Sequence, residues 1–259
     1  MELKNYQYLS ESLTKLGFGE VFNDGLKTKM ELGMPEFYLK ATAKFGKDEM
    51  LYIPKFEKKE GEYYFLNNYK ATLMKEGKVT DMQDFLLYKQ RGFSAKEAYN
   101  LLDGRSVYKV YMKDTEKVGR WSRLDLNSMD DKGNHIIRST YDNASDFRLV
   151  RELSKLPIIH ASQDEKELLI RSLQTGDRVS IIVNQAGQKE KMFVEATPHL
   201  GQLTLYNGQM EKVNLSKNQM TVVADEKVHN NLTDTTKKLI EKSQNVGQQE
   251  NQQMKRKAS

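Results

Sequence analysis

The chain has 259 residues, 38% apolar and 30% charged, with no cysteine. That length supports one large domain or two small ones with real cores, and the missing cysteines exclude disulfides, thiolate metal sites and cysteine nucleophiles. The formal charge of +5 is uneven: from Glu226 to Ser259 seven basic residues face four acidic ones, so that segment carries +3 and residues 1–225 keep +2, too little for a phosphate-binding footprint unless clustered.

The longest apolar runs, such as Ile181-Ile182-Val183, fall far short of the ~20 residues of a membrane span. No charged-then-apolar signal segment opens the chain, so the expected location is the cytoplasm. Tyr6, Leu9, Leu13 and Leu16 recur at helical spacing, Gly17 and Gly19 interrupt, and Val21, Phe22, Leu26 and Met30 resume, which predicts two short helices. After Gly33 and Pro35 the period becomes two: Phe37, Leu39, Ala41 and Ala43, then Leu51 and Ile53, then Tyr63, Phe65 and Asn67 read as strands turning at Gly46 and Gly61. A further pair, Tyr69 to Lys75 and Thr80 to Lys89, is joined by the hairpin turn Glu76-Gly77-Lys78.

Ser94-Ala95-Lys96-Glu97 is a capping box, in which the hydroxyl and the carboxylate each satisfy a backbone N–H at the start of a helix from Ala95 to Leu102. Strands Val107 to Met112, Arg120 to Leu126 and His135 to Tyr141 follow, the last two separated by a polar turn at Asp130 to Asn134. Ser145 then opens a helix from Asp146 to Leu153 that Pro157 stops. Leu169, Leu173 and Gly176 repeat the spacing of Leu26, Met30 and Gly33, Gly187 and Gly201 follow as Gly46 and Gly61 do, and Tyr206-Asn207 answers Leu66-Asn67. A helix followed by a three-stranded meander, present twice, is the expectation. The predicted class is α+β, mainly antiparallel sheets with short helices. Its predicted parts are residues 1–92 (N-terminal helices and first repeat), 93–160 (a middle helix–strand region), 161–225 (second repeat) and 226–259, a polar tail ending in Lys255-Arg256-Lys257 that is expected to be disordered apart from a short helix at Leu232 to Ile240.

Catalytic templates each lack an ingredient. Gly17-Phe18-Gly19 has no preceding strand and no downstream glycine for a phosphate loop. His135, His160, His199 and His229 lie far apart without metal-ligand spacing, and Asp130-Asp131 sits in a turn, where aspartate serves local backbone hydrogen bonding. No enzyme activity, metal or cofactor is expected. One stretch rises above background: residues 105–123 hold six basic side chains against two acidic ones, interleaved with Tyr108, Tyr111 and Trp121. Arg105, Lys109, Tyr111, Lys113, Lys117, Arg120, Trp121 and Arg123 are therefore the candidate nucleic-acid-binding residues. Strand alternation gives Trp121 and Arg123 one face, and Val107, Lys109 and Tyr111 a face of the preceding strand. A surface of rings and cations holds single strands by base stacking and phosphate pairing. The competing reading makes Trp121 a core anchor and the lysines solubilisers of hairpin edges.

The runs Leu16-Gly17-Phe18-Gly19-Glu20, Lys96 to Arg105 with Val107 and Lys109, and Lys191-Met192-Phe193-Val194-Glu195-Ala196-Thr197-Pro198 together resemble a family of uncharacterised proteins common in conjugative transposons and other mobile elements of Bacteroides and relatives. The similarity runs from about Leu9 to Val213. The resemblance implies an intracellular bacterial context in DNA transfer or its regulation, sometimes beside primase or topoisomerase-like domains, and supplies no catalytic residues. The expected function is an interaction module in mobile-element biology that contacts nucleic acid through the 105–123 stretch. The alternative is a protein-binding or inhibitory factor docking on a host or element-encoded protein through sheet edges or the Tyr63-Tyr64-Phe65 strand.

Overall fold

The computed structural model describes residues 2–59, 61–88, 92–113, 115–159, 162–185 and 187–213. The predicted tail, with His229 and Lys255-Arg256-Lys257, lies outside them, as do His160 and the end of the strand expected to reach Lys89. Residues 1–222 group as one compact unit. Among the described residues five α-helices and twelve strands form three antiparallel sheets, the α+β class read from the sequence.

Helix α1 (Leu3–Lys15) buries Leu9 and Leu13 at helical spacing and ends before Gly17, whose φ of +86° closes the turn. Helix α2 (Asn23–Glu31) buries Leu26 and Met30. The first sheet follows as β1 (Glu36–Tyr38), β2 (Ala41–Phe45), β3 (Asp48–Lys58), β4 (Tyr64–Lys75) and β5 (Lys78–Leu86), with β1 and β2 pairing successive parts of β3. Between them Leu39 N–H donates to the Pro54 carbonyl at 3.3 Å. A strand residue's N–H and C=O point the same way, so the N–H that Pro54 lacks would have faced this gap; proline is thus confined to the broken edge. In β4 the register shifts opposite Lys55/Phe56, which leaves Asn67 as the extra residue of a bulge. The side-chain phase flips there. Tyr64 and Leu66 point inward before the bulge and Tyr69, Ala71 and Leu73 after it, so the expected Tyr63/Phe65/Asn67 face is the outward one and the two strands expected here are one.

The capping box forms as expected, with Ser94 N–H donating to Glu97 Oε2 at 2.7 Å, and starts α3 (Ala95–Leu102). The middle sheet is β6 (Val107–Lys113), β7 (Glu116–Met129) and β8 (His135–Tyr141), in that order. Helix α4 (Leu149–Leu153) begins later than predicted, because Ser145 accepts from Phe147 N–H in a local turn instead of capping it. Helix α5 (Gln163–Thr175) leads into the last sheet, β9 (Val179–Gln185), β10 (Gln188–Thr197), β11 (Gln202–Tyr206) and β12 (Lys212–Val213).

Two cores result. One joins α1, α2 and α3 to the inner face of the first sheet and takes Val107 and Leu124 from the middle sheet. The other joins α4, α5 and the last sheet and takes Trp121 from the middle sheet's opposite face. Strand alternation therefore makes the middle sheet the shared wall. A seam of polar contacts runs along it: Asn100 donates to Thr175 O at 2.7 Å, and Lys96 pairs with Asp177 at 2.6 Å. Gln83 clasps the backbone of His135, accepting from its N–H at 2.7 Å, and ties β5 to β8. A helix leads into antiparallel strands in both segments, with left-handed glycines at 46 and 61 and at 187 and 201, but the first sheet has five strands and the last four. Their packing differs: Leu66 enters the first core, whereas its expected counterpart Tyr206 faces away from the second and bonds Glu195.

Candidate nucleic-acid interface

The β6–β7–β8 register decides which predicted residues can act together. Lys109 lies opposite Arg120, Tyr111 opposite Val118, and Arg120 opposite Tyr141. These residues share one face, and Trp121 with Lys117 and Arg123 takes the other. Trp121 is 4% exposed, 5.2 Å from the Tyr108 ring and 5.7 Å from Phe147. It is a core anchor, and the stacking role expected of it is corrected: no base can reach a ring enclosed on both sides.

Two of the expected cations are already neutralised. Arg105 is buried, with its guanidinium 3.1 Å from Asp103 and 4.9 Å above the Tyr99 ring. Lys109 pairs with the capping-box Glu97 at 2.7 Å and lies 5.9 Å from the Phe93 ring. The motif around α3 thus holds the first core to the middle sheet. Lys117 is exposed, Arg123 is half-buried beside the second core, and Lys113 ends β6 with a side chain outside the described set.

What remains together is Tyr111 and Arg120, joined by a residue the sequence reading did not select, Tyr141. The Arg120 guanidinium sits 4.1 Å from the Tyr111 ring centroid and 5.8 Å from that of Tyr141. The two rings are 38% and 41% exposed. With Val118 as part of the floor, they bound a surface slot of about 210 Å³. Burial works against the charge on Arg120, but contacts with the Tyr141 and Tyr111 hydroxyls outweigh it, so the proton is held more firmly than on an exposed arginine. Among the described residues this group forms no ion pair with a carboxylate, and its buried Nε has no acceptor.

The back of the sheet fixes the slot. Tyr108 crosses β7 at Gly119 and donates to Asp142 Oδ2 at 2.6 Å, immediately after Tyr141. A Cβ at Gly119 would stand 1.9 Å from the Tyr108 hydroxyl, so glycine alone leaves the crossing open. Burial, then the bond to Asp142, pushes the Tyr108 hydroxyl up to about 12, and it stays protonated to donate. Tyr141 was missed because it lies outside the basic window and reaches Arg120 only through strand register; an aromatic residue ending a predicted strand was the available signal.

Beside the second core another arginine is fully paired. Arg178, just before β9, donates to Glu195 at 2.8 Å and stacks on Tyr206 at 4.1 Å, while Tyr206 donates to the same carboxylate at 3.2 Å. Among the described residues no three His, Cys, Asp or Glu side chains stand together as a metal site, and no helix is long and apolar enough to cross a membrane. The chain matches no family model, no curated protein and no solved structure.

Proposed function

We propose that this chain is a non-catalytic interaction module that binds single-stranded nucleic acid at the exposed β6–β7 hairpin end of its middle sheet, inside the cell. One observation carries the reading: a guanidinium held between two half-exposed tyrosine rings and in no ion pair among the described residues. A partly buried cation without an acid favours an anion, and exposed rings beside it offer stacking surfaces that tolerate any base. The setting in mobile-element biology rests on the sequence resemblance alone.

A protein partner is the second reading, favoured by the outward face of the first sheet. There Tyr38, Phe65, Met82 and Leu86 are all exposed, Phe65 and Leu86 on the strand neighbours β4 and β5. Such a patch suits a largely apolar interface with weak salt dependence.

The test is binding of a fluorescent eight-nucleotide thymidine strand to the full chain and to a variant with Lys255, Arg256 and Lys257 changed to glutamine. Binding that survives the tail change and falls on the order of ten-fold in the double variant Tyr111→Ala/Arg120→Gln supports the slot, from the loss of one stack and one phosphate contact. Binding lost with the tail alone, or indifferent to the slot variant, defeats the reading.

A further inference from the structure

We infer that the slot is a station for one nucleotide, with the phosphate on Arg120 and the base on the Tyr141 ring, an inference that rests on the nucleic-acid reading above. Ligand pockets for drug-sized molecules run from roughly 300 Å³ upward, so a slot of about 210 Å³ takes a smaller unit, one ring and its phosphate. The two aromatic walls are not equivalent. At 4.1 Å the guanidinium is stacked on Tyr111, so that ring's inner face is filled. At 5.8 Å it is too far from Tyr141 to stack and too near for another ring to fit between them, which needs about 7 Å at ordinary contact distances. The Tyr141 face is therefore the less filled surface, and a base stacks on it by displacing the ring outward in exchange for its hydroxyl's contact with Arg120.

Charge selects what accompanies that base. The Nε of Arg120 is buried without an acceptor, and Lys109, which lies opposite on β6, is committed to Glu97. The slot thus has one cation to spend on one phosphate. One contact gives a shallow salt dependence: with a slope of about −0.7 per phosphate on single strands, the slot's share of affinity falls only about 2.6-fold between 50 and 200 mM salt.

The experiment is competition against the fluorescent eight-nucleotide thymidine strand on the full chain, using thymidine 5′-monophosphate, thymidine and inorganic phosphate as competitors, with direct calorimetric titration of each alongside. The monophosphate is expected to compete at least ten-fold better than either fragment. Arg120→Gln should erase the advantage over thymidine and reduce the salt slope by about 0.7. Tyr141→Ala should erase the advantage over phosphate and weaken the strand roughly five-fold or more. Circular dichroism establishes that each variant is folded, and Tyr141→Phe, which keeps the ring, should restore binding.

The outcomes separate the two readings. A strand that binds through Tyr111 and Arg120 while the monophosphate fails to compete leaves the function standing and overturns the station. Phosphate competing as well as the nucleotide overturns it too, leaving an anion site. Calorimetric binding of the monophosphate with no binding of the strand keeps the station and removes the nucleic-acid function.

Discussion

Two arginines in this protein stack on tyrosine rings at the same 4.1 Å, Arg120 on Tyr111 and Arg178 on Tyr206, and the groups around them differ. Around Arg178 the circuit is closed: Glu195 accepts from the guanidinium at 2.8 and 3.0 Å and from the Tyr206 hydroxyl, and the carboxylate is itself buried. Around Arg120 a second tyrosine stands where the acid would be, and both rings face solvent. The same cation–ring contact is a brace in one sheet and a receptive surface in the other. The neutralising carboxylate makes the difference, since a cation with a saturated hydrogen-bond shell has nothing left to offer a ligand.

Removing each circuit's polar partner breaks that contrast most sharply. Glu195→Ala strands a guanidinium whose side chain is only 27% exposed, and should cost about 2–3 kcal/mol, somewhat below the usual figure for breaking a fully buried pair because Arg178 keeps some water. Arg120→Gln removes no ion pair and should cost about 1–1.5 kcal/mol, between the worth of an exposed and of a desolvated cation–ring contact. Urea midpoints at unchanged m-value measure both. Equal losses at the two sites would sink the distinction between brace and surface.

A smaller change converts one arrangement into the other. Ser139 is exposed on β8, pairs with Ser122 and lies diagonal to Arg120 on the slot face, within reach of a long side chain. Ser139→Glu should supply the missing carboxylate. Stability should rise by no more than about 1 kcal/mol, as for any partly exposed pair, while oligonucleotide affinity falls on the order of ten-fold because the cation is neutralised and the phosphate repelled. Unchanged affinity in a variant whose Arg120 is demonstrably paired would mean that the cation is not the contact.

The limits of the sequence reading follow from the same physics. Local features were legible: the Ser94–Glu97 capping box is a contract between residues three apart, and the Glu76-Gly77 turn, with φ of 51° and 73°, is set by its own two residues. The strands of the middle sheet were found for the same reason, although β7 (Glu116–Met129) extends beyond the expected Arg120 to Leu126 at both ends. Misreadings came wherever one residue shifts a phase. The bulge at Asn67 turned Phe65 outward and Tyr64 inward. A window that counts charge sees neither register nor burial, so it grouped buried Trp121 with Arg120 of the opposite face, and it counted Arg105 and Lys109 as free although Asp103 and Glu97 hold them. Tyr141 was invisible to it because the Arg120–Tyr141 pair exists only once β8 has docked. Two of the candidate site's three principal residues, Tyr111 and Arg120, were thus legible in the predicted stretch.

The smallest expected effect tests which side of the middle sheet nucleic acid uses. His199 lies in the 3₁₀ turn Pro198–Leu200, where burial first and then the charge of Arg123 hold its imidazole below the ordinary 6.5; Lys212 adds to the lowering and Glu195 opposes it. The unfolded chain therefore binds this proton more readily than the folded one. The contribution is complete above about 6.5 and is lost as pH falls toward the depressed folded value, and because His199 is exposed the loss should be slight and flattened by His199→Gln. Arg123 is on the Trp121 face, opposite the slot. An oligonucleotide seated on Tyr141 and Arg120 leaves Arg123 untouched, so the His199 pKa, followed through its ring proton by NMR, should not move when the strand is added. A phosphate arriving at Arg123 would cancel the repulsion and raise that pKa. An upward shift would place the nucleic acid on the face where Trp121 is buried, and the receptive arginine would be Arg123.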